Sequence, residues 1–216
     1  MTSKHVKSVL DLTFLDIQSE ADLEKGIQER GQHILPNSPK STSKNNHTEA
    51  FSLDNSMAMT SAVNPDSTSG KAAKQEEVQA LRLGNNLLRD FSLLSAKCLH
   101  NLIDASKVLW LDLSFNEIAK TDEISVLFPS VTTIYLHANK ISKLGEIKKL
   151  SKLSKLKSLS MYGCPVEENK HYRNYVLYSC KLLTQFDASP VTASERRKSE
   201  IFEQTFRKKL HPEDFE

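Results

Sequence analysis

Three side chains in this 216-residue sequence are of types that carry nucleophilic catalysis: Asp112, Ser114 and His137. Asp112 and Ser114 stand two apart, so in a strand they project from one face. His137 becomes their lateral neighbour if the segments at 108–118 and 131–141 lie side by side. A serine hydrolase needs more than such a trio. It needs an oxyanion hole and a histidine base held by a buried carboxylate. A shallow, solvated sheet face supplies neither, so no enzyme activity is expected. The cysteines add no chemistry. Cys98, Cys164 and Cys180 are odd in number, widely spaced and without a C-x-x-C pair. They read as reduced thiols, with no zinc site. The six glycines are scattered and form no nucleotide-binding turn, so no cofactor is expected.

The elements that must position these residues start from the stretch VLWLDLSFNEI, Val108 to Ile118. Its anchors are Val108, Leu111, Leu113, Asn116 and Ile118, in the spacing L-x-x-L-x-L-x-x-N-x-L, the signature of a leucine-rich repeat. The alternation at Leu111 and Leu113 makes a short strand with one buried face. Asn116 follows at the turn, where its amide can bond backbone groups that stacking would bury. The pattern recurs in frame. Val78, Leu81, Leu83, Asn86 and Leu88 form one copy. Val131, Ile134, Leu136, Asn139 and Ile141 form another, and Leu156, Leu159, Met161, Cys164 and Val166 a fourth. The starts at 78, 108, 131 and 156 are 30, 23 and 25 residues apart. The fold expected is α/β: a short curved leucine-rich-repeat solenoid of four repeats plus a C-terminal cap. It has a parallel concave sheet and a helical convex side. The predicted structural ladder is Asn86, Asn116, Asn139 and Cys164, the last a thiol in place of an amide.

The connections carry helical patterns. Leu93, Leu94, Cys98, Leu99 and Leu102 serve the first, Ile124, Leu127 and Phe128 the second, and Leu144, Ile147, Leu150 and Leu153 the third. Residues 75–166 are therefore read as the repeats and 167–216 as a cap with a terminal helix. Tyr172, Tyr175, Val176 and Leu177 would supply inner contacts, Leu183 and Phe186 a last strand, and Thr192 or Ser194 a helix cap. Residues 1–35 hold a cluster of apolar residues and then Ser19 before ADLEKGIQER, a short helix with Ser19 as N-cap. That segment either docks on the open end of the stack or is a loosely ordered tail. Residues 36–74, rich in Ser, Asn, Thr and Lys, cannot offset their ordering entropy and read as a disordered linker.

Bulk properties narrow the function. Hydrophobic residues make up 38% of the chain, low for its length, so part of it lies outside the core. A net charge of +2 on 29 basic and 27 acidic residues argues against nucleic acid as the main partner. No apolar run reaches membrane-spanning length, and the first 20 residues lack the pattern of a secretion signal. A cytoplasmic protein without a membrane partner is expected.

Strand alternation sets the concave face. Arg82, Asp112, Tyr135 and Ser160 fall in one column, and Ala80, Trp110, Thr133 and Ser158 in the next. Gly84, Ser114, His137 and Tyr162 flank them. The candidate partner-binding residues are Arg82, Trp110, Asp112, Thr133, Tyr135, His137 and Tyr162, a mix of rings and charges typical of interface hot spots. Arg82 and Asp112 are predicted to pair laterally, worth under about 1 kcal/mol. Phe115 is read as structural, packed on its turn. On the third connection, Lys140, Lys143, Lys148, Lys149, Lys152, Lys155 and Lys157 make a basic convex surface. It is either a solvated face or an attraction for an acidic partner such as the tails of tubulin.

Two stretches carry a family resemblance. YRNYVL followed by LTQFDASPVTASER resembles the C-terminal cap of intracellular repeat proteins of the phosphatase-regulator, U2 small nuclear ribonucleoprotein A-prime and ciliary types. The run from LDLSFNEI to HYRNYVL is similar to the leucine-rich repeat-containing protein fifty-one family, with a weaker echo at LDLTFLDIQ. The resemblance implies a cytoplasmic protein without catalysis, linked to motile cilia, with axonemal or tubulin-associated partners. The expected function is a non-enzymatic protein–protein interaction scaffold. A phosphatase regulator or a ribonucleoprotein component is the alternative.

Overall fold

The computed structural model describes residues 8–30, 78–95 and 97–206. The expected linker, 36–74, and the Cys98 side chain lie outside the described residues. Among those described, seven strands form one sheet in chain order. They are β1 (Val9–Asp11), β2 (Ala80–Arg82), β3 (Trp110–Asp112), β4 (Thr133–Tyr135), β5 (Ser158–Ser160), β6 (Gln185–Phe186) and β7 (Ser189–Pro190). The pairs from β1 to β6 are parallel, and β7 folds back antiparallel on β6. Each parallel crossover carries helix: α1 (Glu20–Arg30), α2 (Lys97–Leu102), α3 (Ile124–Leu127), α4 (Leu144–Leu150) and α5 (Tyr172–Ser179), with α6 (Ala193–Phe206) closing the chain. Strands sit about 4.8 Å apart and helices about 8–10 Å, so stacking both curves the array with the sheet inside.

The anchors are buried as their spacing demands. Leu81, Leu111, Ile134, Leu159 and Phe186 line up in register and have at most 1% exposure. Around them Leu83, Leu113, Leu136 and Met161 make a second apolar column. Ile124 and Phe128, then Leu144, Ile147, Leu150 and Leu153, close the core from the helical side. Neither layer buries its apolar side alone, so the stack carries the stability.

The ladder is fully bonded. Asn116 Nδ2 donates to the carbonyls of Leu83, Leu113 and Ser114 at 2.9–3.1 Å, and its Oδ1 accepts from Leu88 N at 3.0 Å. Asn139 repeats this one strand on, donating to Leu113 O and Leu136 O and accepting from Ile118 N. Asn86 donates to Leu12 O and accepts from Leu15 N and Ile17 N. Cys164 takes the same place with a thiol, its Sγ donating to Leu136 O at 3.3 Å. Burial pushes both the Cys164 and Cys180 thiols up, Cys180 to about 12, so these buried cysteines are poor nucleophiles.

The structure adds β1 at the N-terminal end of the four sequence repeats, and at the other end it forms the expected last strand, β6, with β7 folded back on it. At the N-terminal end, Leu10, Leu12, Ile17 and Leu23 are fully buried and β1 pairs with β2. LDLTF at 10–14 has the same form as LDLSF at 111–115. Leu15 occupies the ladder position, and its missing amide hides the repeat from the signature. Asn86 covers the gap by accepting the Leu15 and Ile17 N–H groups. Ser19 and Asp22 cap α1 reciprocally. At the other end, Thr192 caps α6: Glu195 N donates to Thr192 Oγ1 and Thr192 N to Glu195 Oε2. Arg173 and Thr192 hold Glu195 at a pKa of about 2. Arg196 donates to Leu177 O and Leu183 O, covering the last carbonyls of α5 and its exit loop.

Candidate binding face

The candidate residues are brought onto one face by strand register. Arg82, Asp112, Tyr135 and Ser160 stand in one row, and Ala80, Trp110, Thr133, Ser158 and Gln185 in the next. Rings run across the strands without a break. Arg82 Cζ lies 5.5 Å from the Trp110 ring. Trp110 meets Tyr135 edge-on at 5.3 Å. Tyr135 tilts toward His137 at 6.0 Å, and His137 stacks on Tyr162 at 4.6 Å with 10° between planes. These rings are partly exposed, Tyr162 at 43%. Offset and edge contacts of this kind are worth about 0.5–1.5 kcal/mol each and hold the rings in one geometry. Thr133 sits beside Trp110 without a part in this chain of rings.

Two expectations are corrected here. Arg82 pairs with Asp11, at 3.2 Å, rather than with Asp112. The reason is β1, which places Asp11 directly across from Arg82. Phe115 is not packed on its turn. It is 52% exposed and meets His137 edge-on at 5.3 Å. Its φ of 53° turns its side chain up to the rim of the face. Phe14 does the same at the N-terminal end, with φ 57° and 71% exposure.

The catalytic trio does not assemble. Ser114 is buried, and its hydroxyl donates to Asp112 Oδ1 at 2.6 Å, with Ser114 N on the same oxygen. The proton that a base would need is committed to a carboxylate. Gly84 makes room for this turn: a Cβ there would stand 3.0 Å from Ser114 Oγ and 3.2 Å from Asp112 Oδ1.

His137 has a different character. Its Nδ1 is buried with no hydrogen-bond partner among the described residues. Burial lowers its pKa, against the opposing pull of Asp112 and Asp187. The fold therefore prefers neutral imidazole. For a depressed histidine the stability is fully present above the unfolded pKa, about 6.5, and is lost as pH falls through the folded value. Unfolding free energy, measured by urea between pH 7.5 and 5, is expected to fall less for His137→Phe than for the natural chain. An equal fall in both would place the pH sensitivity elsewhere.

Sequence reading missed Asp11, Phe14 and Asp187. Asp187 is half-buried and directly follows β6. It accepts from Met161 N at 2.7 Å, Tyr162 N at 3.1 Å and the Tyr172 hydroxyl at 2.9 Å. Burial raises its pKa although these three donors favour the charged form. The signal for Asp11 and Phe14 was the LDLTF echo. Asp187 had none, because its partners come from β5 and α5.

On the convex side the lysine run is partly neutralised. Lys140 pairs with Glu117 at 2.6 Å, and Lys149 with Asp122 and Glu146 at 2.8 and 2.7 Å. Among the described residues no group of three or more His, Cys, Asp or Glu could hold a metal, and no helix is long and apolar enough to cross a membrane.

Comparisons with known proteins agree with this architecture. The leucine-rich repeat family model matches residues 80–213. Leucine-rich repeat-containing protein 51 of Homo sapiens is 38% identical over 139 residues, which is 63% of this chain and 69% of that protein. The Mus musculus protein of that name is 38% identical over 136 residues, with the same shares covered. Among solved structures, a chain of the Drosophila melanogaster SNF/U2A' complex superposes with a TM-score of 0.51 at 24% identity, covering 61% of this chain and 72% of that one. That likeness shows the fold. With its in-register strands, its asparagine ladder and these relatives, the chain belongs to the leucine-rich repeat family and is a homologue of leucine-rich repeat-containing protein 51.

Proposed function

We propose that this chain is a non-catalytic interaction scaffold that docks a protein partner on its concave face. The observation that carries this reading is the unbroken row from Arg82 through Trp110, Tyr135 and His137 to Tyr162. A fold of this family is typical of protein binding. Rigid rings on a sheet bury area at low entropic cost, and such anchors dominate interface energetics. Against a catalytic reading stands the Ser114 hydroxyl, which is tied to Asp112. The setting we assign is the cytoplasm, in association with cilia, with axonemal or tubulin-associated proteins as the partner class. This rests on the likeness to leucine-rich repeat-containing protein 51.

Affinity purification of the tagged chain with mass spectrometry is the test, run beside Trp110→Ala/Tyr135→Ala. The double variant is expected to lose its main protein partner, with affinity down about 100-fold or more, as for two hot-spot rings. An unchanged partner set would remove the concave-face proposal. Exclusive nuclear residence of the tagged chain, or retention on RNA that falls steeply with salt, would replace the ciliary setting with a ribonucleoprotein one.

A further inference from the structure

The concave face contains the same carboxylate device twice, and only one copy is filled. In the first, Asp11 Oδ1 accepts from Thr13 N at 3.1 Å and Thr13 Oγ1 at 2.7 Å. In the second, Asp112 Oδ1 accepts from Ser114 N at 3.0 Å and Ser114 Oγ at 2.6 Å. Both lie in the LDLTF and LDLSF strands, at matching positions. In each the turn fixes the carboxylate and turns its second oxygen to other work. Asp11 uses Oδ2 to hold the Arg82 guanidinium, which also lies over the Trp110 ring. Asp112 has no such cation among the described residues. Its register neighbours are Arg82 on β2, whose guanidinium is held by Asp11, and Tyr135 on β4. Its own strand puts Trp110 two residues away on the same face, and His137 stands close enough to feel its charge.

We propose that Asp112, walled by Trp110, Tyr135 and His137, is the seat for an arginine side chain presented by a basic segment of the partner protein. The inference rests on the concave-face reading and deepens it. The guanidinium would donate to Asp112 Oδ2 and lie against the rings, as Arg82 does against Trp110 with Asp11. Arginine fits better than lysine. Its planar fork both stacks on rings and bonds a carboxylate, whereas an ammonium is a compact and strongly hydrated point charge. The charges also agree. Asp11 and Arg82 neutralise each other, which leaves Asp112 as the uncompensated charge in that row. A carboxylate among partly desolvated rings attracts a cation more strongly than one in open water.

The experiment uses the full chain and a random-peptide display library as probe. Trp110 is the only tryptophan in the sequence, so its fluorescence reports occupancy of this slot directly. Selected peptides are expected to share an arginine. Replacing that arginine with citrulline, a neutral isostere, should weaken binding about tenfold or more, as for loss of a charge-assisted bond. Asp112→Asn should do the same to the natural peptides and have little further effect on the citrulline ones. Asparagine keeps an Oδ1 for Ser114, so the turn survives, and an unchanged melting temperature checks this. Peptides that are lost on Trp110→Ala/Tyr135→Ala, followed by calorimetry, yet lack arginine or ignore Asp112→Asn, would overturn the arginine seat and leave the concave face standing. Selected peptides whose binding survives that double variant would overturn both.

Discussion

Asn116→Ala is expected to lower the unfolding free energy by about 3–5 kcal/mol. The residue is 7% exposed and its amide serves four backbone partners from two repeats. Alanine leaves the Leu88 N–H without its partner in a dry interior and removes the amide bonds to the Leu83, Leu113 and Ser114 carbonyls, each worth about 0.5–1.5 kcal/mol, although Leu83 O keeps Asn86 Nδ2. Each buried orphan costs about 1–3 kcal/mol, more than the bond itself contributes in net terms. Cys164→Ala gives the internal contrast. The thiol is a weak hydrogen-bonding group, donating at 3.3 Å to Leu136 O, so its loss should cost about 1 kcal/mol, together with a small packing term. Urea midpoints with fitted slopes for both variants measure this directly. A constant slope would show that the change is in stability and not in the compactness of either state. If the two variants lose equal stability, the ladder amide is not the element that ties the repeats together.

Phe186→Ala is the second large effect, at about 3–5 kcal/mol for a fully buried ring. Phe186 completes the apolar column begun by Leu10 and closes the end of the stack. Tyr172 meets it at 5.3 Å and the Arg173 guanidinium lies 5.5 Å from its ring. Its removal opens a cavity beneath α5 and α6, the two helices that cover the last repeat. Hydrogen exchange should therefore show α5 and α6 losing protection first, with β3 and β4 retaining theirs at low denaturant. A uniform loss throughout would mean that the cap and the repeats unfold as a single unit. Phe14→Ala supplies the control, because a side chain 71% exposed is expected to change stability by no more than about 0.5 kcal/mol.

The two ends of the array explain why the interior repeats carry the full signature and the terminal ones do not. An interior repeat must satisfy a neighbour on both sides, so its anchors and its asparagine recur at fixed spacing. A terminal repeat has a neighbour on one side only and needs only half the pattern. Leu15 in place of an amide, and an acid, Asp187, that takes the Met161 and Tyr162 N–H groups directly after the last parallel strand, are consequences of that asymmetry. Both were assigned by contacts that cross from 69 to 74 residues away in the first case, and from β5 and α5 in the second.

The sequence by itself determined the repeats, their register, the burial of each anchor and the residues on the concave face, because two short-range periods dictate them: alternation along a strand and the recurrence of the repeat. It also placed Ser19 at one helix start and Thr192 or Ser194 at another, since capping is a local exchange of hydrogen bonds. Only the tertiary structure decided which charges meet. Arg82 turns to Asp11 and not to Asp112, because a strand 71 residues earlier in the chain supplies a carboxylate across from it. The same structure decided that Ser114 serves Asp112, that Phe115 is exposed, and that one carboxylate of a matched pair holds an arginine while the other does not. Pairing is a matter of distance in space, and no period in the sequence encodes it.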